Sequence, residues 1–131
     1  MFAPLSSVYV NISDVDFRYL MDPKHAYSDR EFLGKAFFHN PFVSKELKDI
    51  GVSIRGSFTR RYLRKSFSLN FVFKSSSQRL VNLKKLGLRA LPFDVSYLRD
   101  QAVHDLSYYL GIKRPRTGFA QFYLNDVYFG L

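Results

Sequence analysis

The sequence of 131 residues contains no cysteine and no tryptophan, and it has no long apolar run. Without cysteine the chain has no disulfide, no thiol nucleophile and no cysteine-type zinc site. The opening MFAPLSSVYVNI lacks the charged start and the continuous apolar stretch of a signal peptide, and no segment approaches the roughly 18 apolar residues of a membrane span. We therefore expect one folded domain without a membrane span, with a core built from the 47% apolar residues.

Acidic residues are also absent between Asp49 and Asp94, a window that holds ten cations. Five of these cations lie within RGSFTRRYLRKS, residues 55–66. The net charge of +9 favours an anionic partner, and the cluster is denser than a charged sheet edge requires. Like charges repel unless an anion offsets them, so this segment is the first candidate site.

Apolar alternation predicts strands in the first half of the chain at SVYVNISD (7–14), EFLGKAFFHN, GVSIRGS and SFSLNFVFK. The first of these places Val8, Val10 and Ile12 on one face. The segment VDFRYLMDPKH predicts a short helix that stops at Asp22, because the following proline disfavours helix for its predecessor. VSKELKD is interpreted as a polar connection between strands.

The second half continues with a predicted strand in LVNLKKLGLRA and a helix in DVSYLRDQAVHDLSYYLG. Ser96 is the predicted N-cap and Gly111 the left-handed stop of this helix. Its predicted core stripe consists of Leu98, Ala102, Leu106 and Leu110. FAQFYLND and VYFGL predict two strands joined by a turn at Asn125-Asp126, and we expect the last strand to be cut at Leu131 as in a fragment.

From residue 51 the predicted order is strand, basic loop, strand, strand, helix, strand, strand. The small lobe of a protein kinase has this order, although Gly56 is the only glycine where a glycine-rich loop would lie. Four blocks strengthen the likeness: AYSD (26–29), GVSIRGSFTRRYLRKSFSLNF (51–71), FDVSYLRDQAVHDL (93–106) and FAQFYLNDVYFGL (119–131). On these blocks the chain resembles the CotH family of spore-coat and cell-surface atypical protein kinases.

The residues that match the family pattern are Arg55, Gly56, Arg60, Lys65, Asp94, Ser96, Arg99, Asn125, Tyr128 and Gly130. The departures are Ser57 for asparagine, Phe58 and Thr59 at the next two positions, Val95 for proline, and Asp126 for the glycine of the last turn. These departures concern loop geometry more than fold, because aspartate tolerates positive φ better than most residues.

The resemblance implies an α+β fold, with a mainly antiparallel sheet and one principal packed helix, like a protein-kinase small (N-terminal) lobe. Within a single domain 1–131, residues 1–50 would form an N-terminal extension and residues 51–131 the kinase-like lobe. The family implies catalytic and metal-binding aspartates downstream in a second lobe, so we expect no catalytic residue within this chain and no turnover by it alone. The sequence fixes no compartment, although the family points to the spore coat, the cell surface or secretion.

The resemblance also implies a site for ATP. Arg55 and Arg60 are expected to fork around phosphate oxygens, Lys65 to act as a point charge, and Gly56 to let the backbone come close. In kinases helix C carries an acid that pairs with the phosphate-binding lysine, and Asp100 is the candidate for the acid that pairs with Lys65 here. A divalent metal such as Mg²⁺ would be held mainly by the second lobe, and the expected partners are ATP and a protein substrate with serine or threonine.

Other residues have simpler interpretations. We interpret Arg61 and Arg64 as solvated cations and Asp94 as a turn or capping residue. Lys84, Lys85 and Arg89 are second-ranked phosphate ligands, and Asp105 is an exposed acid. His25 and His39 have no partners at ligand spacing, so no metal site is expected within the chain. His104 abuts the helical stripe as a surface residue.

Two functions of other classes stay open. A basic, tyrosine-rich sheet could bind single-stranded nucleic acid by stacking bases, but the alternating phenylalanines fit a core and no RNP motif is present. A non-catalytic adhesion module at a cell surface is the other alternative. Because the phenylalanines fit a core and no RNP motif is present, we do not expect nucleic acid to be the partner.

Overall fold

The computed structural model of the chain describes residues 6–56, 60, 65–74, 77–80, 82–90, 98–113 and 118–130. Within these ranges the strands are β1 (Ser6–Ile12), β2 (Phe32–His39), β3 (Ser44–Arg55), β4 (Ser66–Asn70), β5 (Lys85–Leu88), β6 (Ala120–Leu124) and β7 (Val127–Gly130). The helices are α1 (Asp14–Met21) and α2 (Arg99–Tyr109), and a short 3-10 turn covers Pro23–His25. The predicted α+β class is thus confirmed.

The seven strands form a single sheet in the order β5-β4-β3-β2-β1-β6-β7. Neighbouring strands are antiparallel except β1 and β6, which pair in parallel with Val8 opposite Phe122. A parallel pair needs a long crossover, and here the chain from β1 to β6 passes through all the intervening elements. In this order β1, β2 and β3 lie in the middle of the sheet, between β4 and β6.

The sheet is curled, with its core on the inner face. Val8 and Val10 are buried as the alternation predicts, and Leu20 of α1 joins them. Phe67 of β4 packs with ring centroids 5.4 Å from Phe122 of β6 and 5.6 Å from Phe129 of β7. Three strands separate β4 from β6 in the sheet order, so only curling brings these rings together. The core is thus one cluster that joins both ends of the sheet.

The first helix and the last turn follow their sequence signals. Ser13 caps α1, since its hydroxyl accepts a hydrogen bond from the Asp16 amide at 3.2 Å, and the helix ends at Met21 before Asp22-Pro23. Asn125 and Asp126 both adopt positive φ, 47° and 66°, as a tight two-residue hairpin turn requires. The predicted position of Leu131 in a strand lies outside the described residues.

Two strand boundaries differ from the prediction. VSKELKD is not a connection, because β3 begins at Ser44 and buries Leu47 opposite Ala36. The alternation is hidden by a bulge, where Asp49 takes φ 52° and the register with β2 shifts. The second difference concerns β4. Alternation predicts that this strand extends through SFSLNFVFK, but it ends at Asn70.

The prediction of one principal packed helix is wrong for α2. The predicted core stripe is exposed: Leu98, Leu106 and Leu110 are 58%, 59% and 65% exposed, and Ala102 is exposed as well. Val103 and Tyr109 are exposed as well, and no described side chain of α2 is buried, so the helix presents no buried face. Leu98 occupies the N-cap without a side-chain cap, the predicted cap Ser96 lies outside the described residues, and the stop at Gly111, with φ 70°, is confirmed.

No helix among the described residues is long and apolar enough to cross a membrane. The helices are instead short, and the longer of the two, α2, has 11 residues.

Candidate functional site

The basic segment joins the end of β3 to the start of its neighbour β4. Arg55, the last residue of β3, pairs with Ser66, the first residue of β4. Gly56 then turns the chain away with φ 102°, a conformation that a side chain would strain. Of the residues between Gly56 and Lys65, the structure describes Arg60 alone, so Arg61 and Arg64 lie outside the described residues.

Arg60 donates three hydrogen bonds to other residues that the structure describes. Its Nε donates to the Gly56 carbonyl at 2.7 Å and its Nη1 to the Ser28 carbonyl at 3.2 Å. Its Nη2 donates to Oδ1 of Asp29 at 2.7 Å, which makes an ion pair. The Arg60 side chain is 12% exposed, whereas that of Asp29 is 84% exposed. The Arg60 guanidinium is therefore held in one position, and its charged partner, the Asp29 carboxylate, is accessible to solvent.

Lys65 is a buried cation next to this contact. It precedes β4 on the inner face, two residues before buried Phe67, and is itself 5% exposed. Its Nζ donates a hydrogen bond to the Arg60 carbonyl. Burial disfavours the charged ammonium and so lowers the pKa of Lys65 below its usual value of 10.5. Lys65 and Arg60 are thereby joined through the backbone.

Arg55 lies on the opposite face. Side chains alternate along β3 and β4, so Arg55 shares the outer face with its partner Ser66, whereas Lys65 and Phe67 face the core. The Arg55 guanidinium rests over Gly87 of β5, where an added Cβ would lie 3.0 Å from Cζ and closer still to Nη1. The structure therefore brings Arg60, Lys65 and Gly56 together and places Arg55 apart from them.

The acid predicted to pair with the lysine is not located by these contacts. Asp100 lies in the first turn of α2, but its side chain is outside the described residues, as is the whole of Asp94. The pairing of Asp100 with Lys65 stays a prediction. Across the described residues there is no group of three or more His, Asp or Glu side chains that could hold a metal ion.

Sequence reasoning missed the acid that does contact the basic segment. Ser28 and Asp29 belong to the AYSD block, which supported the family resemblance without a role for any of its residues. They lie 32 and 31 positions before Arg60, so no local spacing rule joins them. The loop is itself well anchored, because Tyr19 stacks on His25 at 3.7 Å and the Arg30 guanidinium lies 4.8 Å from the Phe32 ring centroid.

These features describe an α+β protein with a cationic segment that connects two neighbouring strands of its sheet. The sequence profile of the CotH kinase protein family matches residues 52–131, which is more than half of the chain. The chain belongs to the CotH family. The matched range includes Arg55, Arg60 and Lys65 and leaves out β1, β2 and Asp29. A search of curated proteins found no match.

Proposed function

We propose that this chain is the phosphate-binding small lobe of a CotH-like protein kinase. The intact protein would transfer the γ-phosphate of ATP to serine or threonine of a protein substrate. Membership of the CotH kinase family supports the reaction class, and the order of strands and helix along the chain from β3 to β7 supports the comparison with a kinase small lobe.

The observation that carries the proposal is the pairing of a fixed arginine with a buried lysine after a positive-φ glycine. Phosphoryl transfer depends on positioning and on neutralising phosphate charge, so it requires cations that are held before the substrate arrives. Arg60 meets this requirement through its bonds to Gly56, Ser28 and Asp29. Lys65 adds a second cation whose low exposure would strengthen its attraction for phosphate.

The donor set fits phosphate rather than metal. Guanidinium and ammonium groups bind phosphate oxygens but cannot ligate a cation, and the described residues contain no acidic cluster. In this proposal the metal ligands and the catalytic aspartates come from a second lobe. When bound there, a divalent metal would neutralise charge on the transferred phosphate. Arg55 lies on the outer face with its guanidinium over Gly87. It would contribute to phosphate binding only after its side chain moved past the end of β3 to the inner face.

Removal of both cations tests the proposal in the intact protein. Arg60→Gln combined with Lys65→Met removes both charges and retains an unbranched aliphatic stem at each position, so we expect ATP-dependent phosphorylation and ATP-induced thermal stabilisation to be lost. The matched control is Lys74→Gln with Lys113→Gln, which removes the same charge from two exposed positions outside the basic segment. Circular dichroism checks folding. Full transfer activity in the first double variant would refute the assignment.

One observation favours the nucleic-acid alternative. Four aromatic side chains form a row across the outer face of β2, β1, β6 and β7, with neighbouring centroids 6.3, 4.9 and 5.2 Å apart. They are Phe37, Tyr9, Tyr123 and Tyr128. Bases stack on such rings, but nucleic acid also needs cations along the row, where Lys35 is accompanied by Glu46. The affinity for single-stranded nucleic acid can be measured in the same double variants. An affinity that falls steeply with salt concentration and does not change when ATP is added would support this alternative.

A further inference from the structure

The ion pair between Arg60 and Asp29 is a feature that phosphate binding by Arg60 leaves unexplained. An arginine that awaits a phosphate is here already in contact with a carboxylate, at 2.7 Å. A carboxylate and a phosphate offer the same chemistry to a guanidinium, since both present two oxygens that accept from its N–H fork. Asp29 accepts from one of these N–H groups, Nη2, through Oδ1, and a phosphate oxygen could accept from the same group.

The three bonds of Arg60 are of two kinds. The carbonyls of Gly56 and Ser28 are neutral backbone acceptors that fix where the guanidinium lies. Asp29 is the charged partner, and its side chain is 84% exposed. An exposed ion pair contributes little in water, because solvent and salt screen it. The carbonyls therefore position Arg60, while the carboxylate occupies a place that a stronger anion could take.

Displacement of the carboxylate needs only a side-chain rotation. The backbone on both sides of Asp29 is anchored, because the Arg30 amide donates to Ser28 Oγ at 3.3 Å and the Arg30 guanidinium lies over the rings of Tyr19 and Phe32. The Ser28 carbonyl can keep its bond to Arg60 while the Asp29 carboxylate turns into solvent. No rearrangement of the sheet is required.

We propose that Asp29 is a resident anion that occupies Arg60 in the free protein and competes with the phosphates of the nucleotide. This inference rests on the proposed function. The backbone carbonyls hold Arg60 in position, and competition by Asp29 weakens the binding of any anion that cannot displace it. Removal of its charge should therefore tighten phosphate binding, whereas a residue that only positioned Arg60 would weaken binding when changed.

The test is the affinity for ATP, measured by titration calorimetry on the intact protein and its Asp29→Asn variant. We expect Asp29→Asn to bind about 2- to 5-fold more tightly, a factor that corresponds to roughly 0.4–1 kcal/mol at 25 °C. Inorganic tripolyphosphate should show the same factor, because the contact is with phosphate oxygens. Glu46→Gln is the matched control: it removes the same charge at the far end of β3 and should leave the affinity unchanged.

The outcomes separate the two proposals. If the unmodified protein binds ATP, Arg60→Gln loses binding and Asp29→Asn is equal to or weaker than the unmodified protein, competition by Asp29 is refuted and phosphate binding by Arg60 stands. If Arg60→Gln binds ATP normally, the competition is also refuted, because Asp29 acts through Arg60. If neither the unmodified protein nor Asp29→Asn binds ATP or tripolyphosphate, both proposals fail.

Discussion

Replacement of Phe67 tests the curl of the sheet, which decides what the inner face can hold. Phe67 is fully buried, and its ring contacts Phe122 and Phe129 on strands at the other end of the sheet. Truncation of a buried phenylalanine to alanine costs about 3–5 kcal/mol of unfolding free energy. A domain of this size has roughly 5–15 kcal/mol in total, so Phe67→Ala should be severely destabilised and Phe67→Leu less so.

The contact that depends on the curl, between the rings of Phe67 and Phe129, can be measured as a coupling free energy. An aromatic pair contributes about 0.5–1.5 kcal/mol beyond the area it buries. In a double-mutant cycle, Phe67→Leu and Phe129→Leu should therefore be non-additive by about that amount. The measurement is urea unfolding at 25 °C followed by far-ultraviolet circular dichroism, since the chain has no tryptophan.

A second cycle gives the control. Phe37 lies on the outer face and is 41% exposed, so Phe37→Leu should add to Phe67→Leu within roughly 0.3–0.5 kcal/mol. If the Phe67 and Phe129 variants are also additive within that margin, the two ends of the sheet do not meet and the curled core is wrong.

Two further predictions concern α2 and Lys65. Leu106→Ala should lower the unfolding free energy by less than about 0.5 kcal/mol, because Leu106 is 59% exposed; a loss of about 2–5 kcal/mol would restore the packed helix. Burial lowers the pKa of Lys65 in the folded state, so the unfolded chain binds more protons between that pKa and the usual 10.5. Across this window the unfolding free energy of the unmodified protein should rise with pH relative to that of Lys65→Met. Equal pH dependence in urea titrations of the two proteins would contradict the desolvation of Lys65.

Local signals predicted most elements correctly. The alternation in β1 and β4 identified both strands and their buried faces, and Asp22-Pro23 and Asn125-Asp126 ended a helix and formed a turn as expected. These features depend on a few neighbouring residues, whose steric and hydrogen-bonding preferences are expressed wherever the segment lies. The acid-free window likewise identified the basic segment, because charge is a property of composition.

The sequence by itself therefore determined the α+β class, most strands, the basic segment and, through its motifs, the family. The tertiary structure alone decided that Lys65 is buried and Arg55 is not, that Asp29 meets Arg60 across 31 positions, and that α2 is exposed. Each of these depends on which distant segments become neighbours when the sheet curls. The desolvation of Lys65 and the ion pair of Arg60 with Asp29 act through space between distant segments, so no local spacing along the chain encodes them.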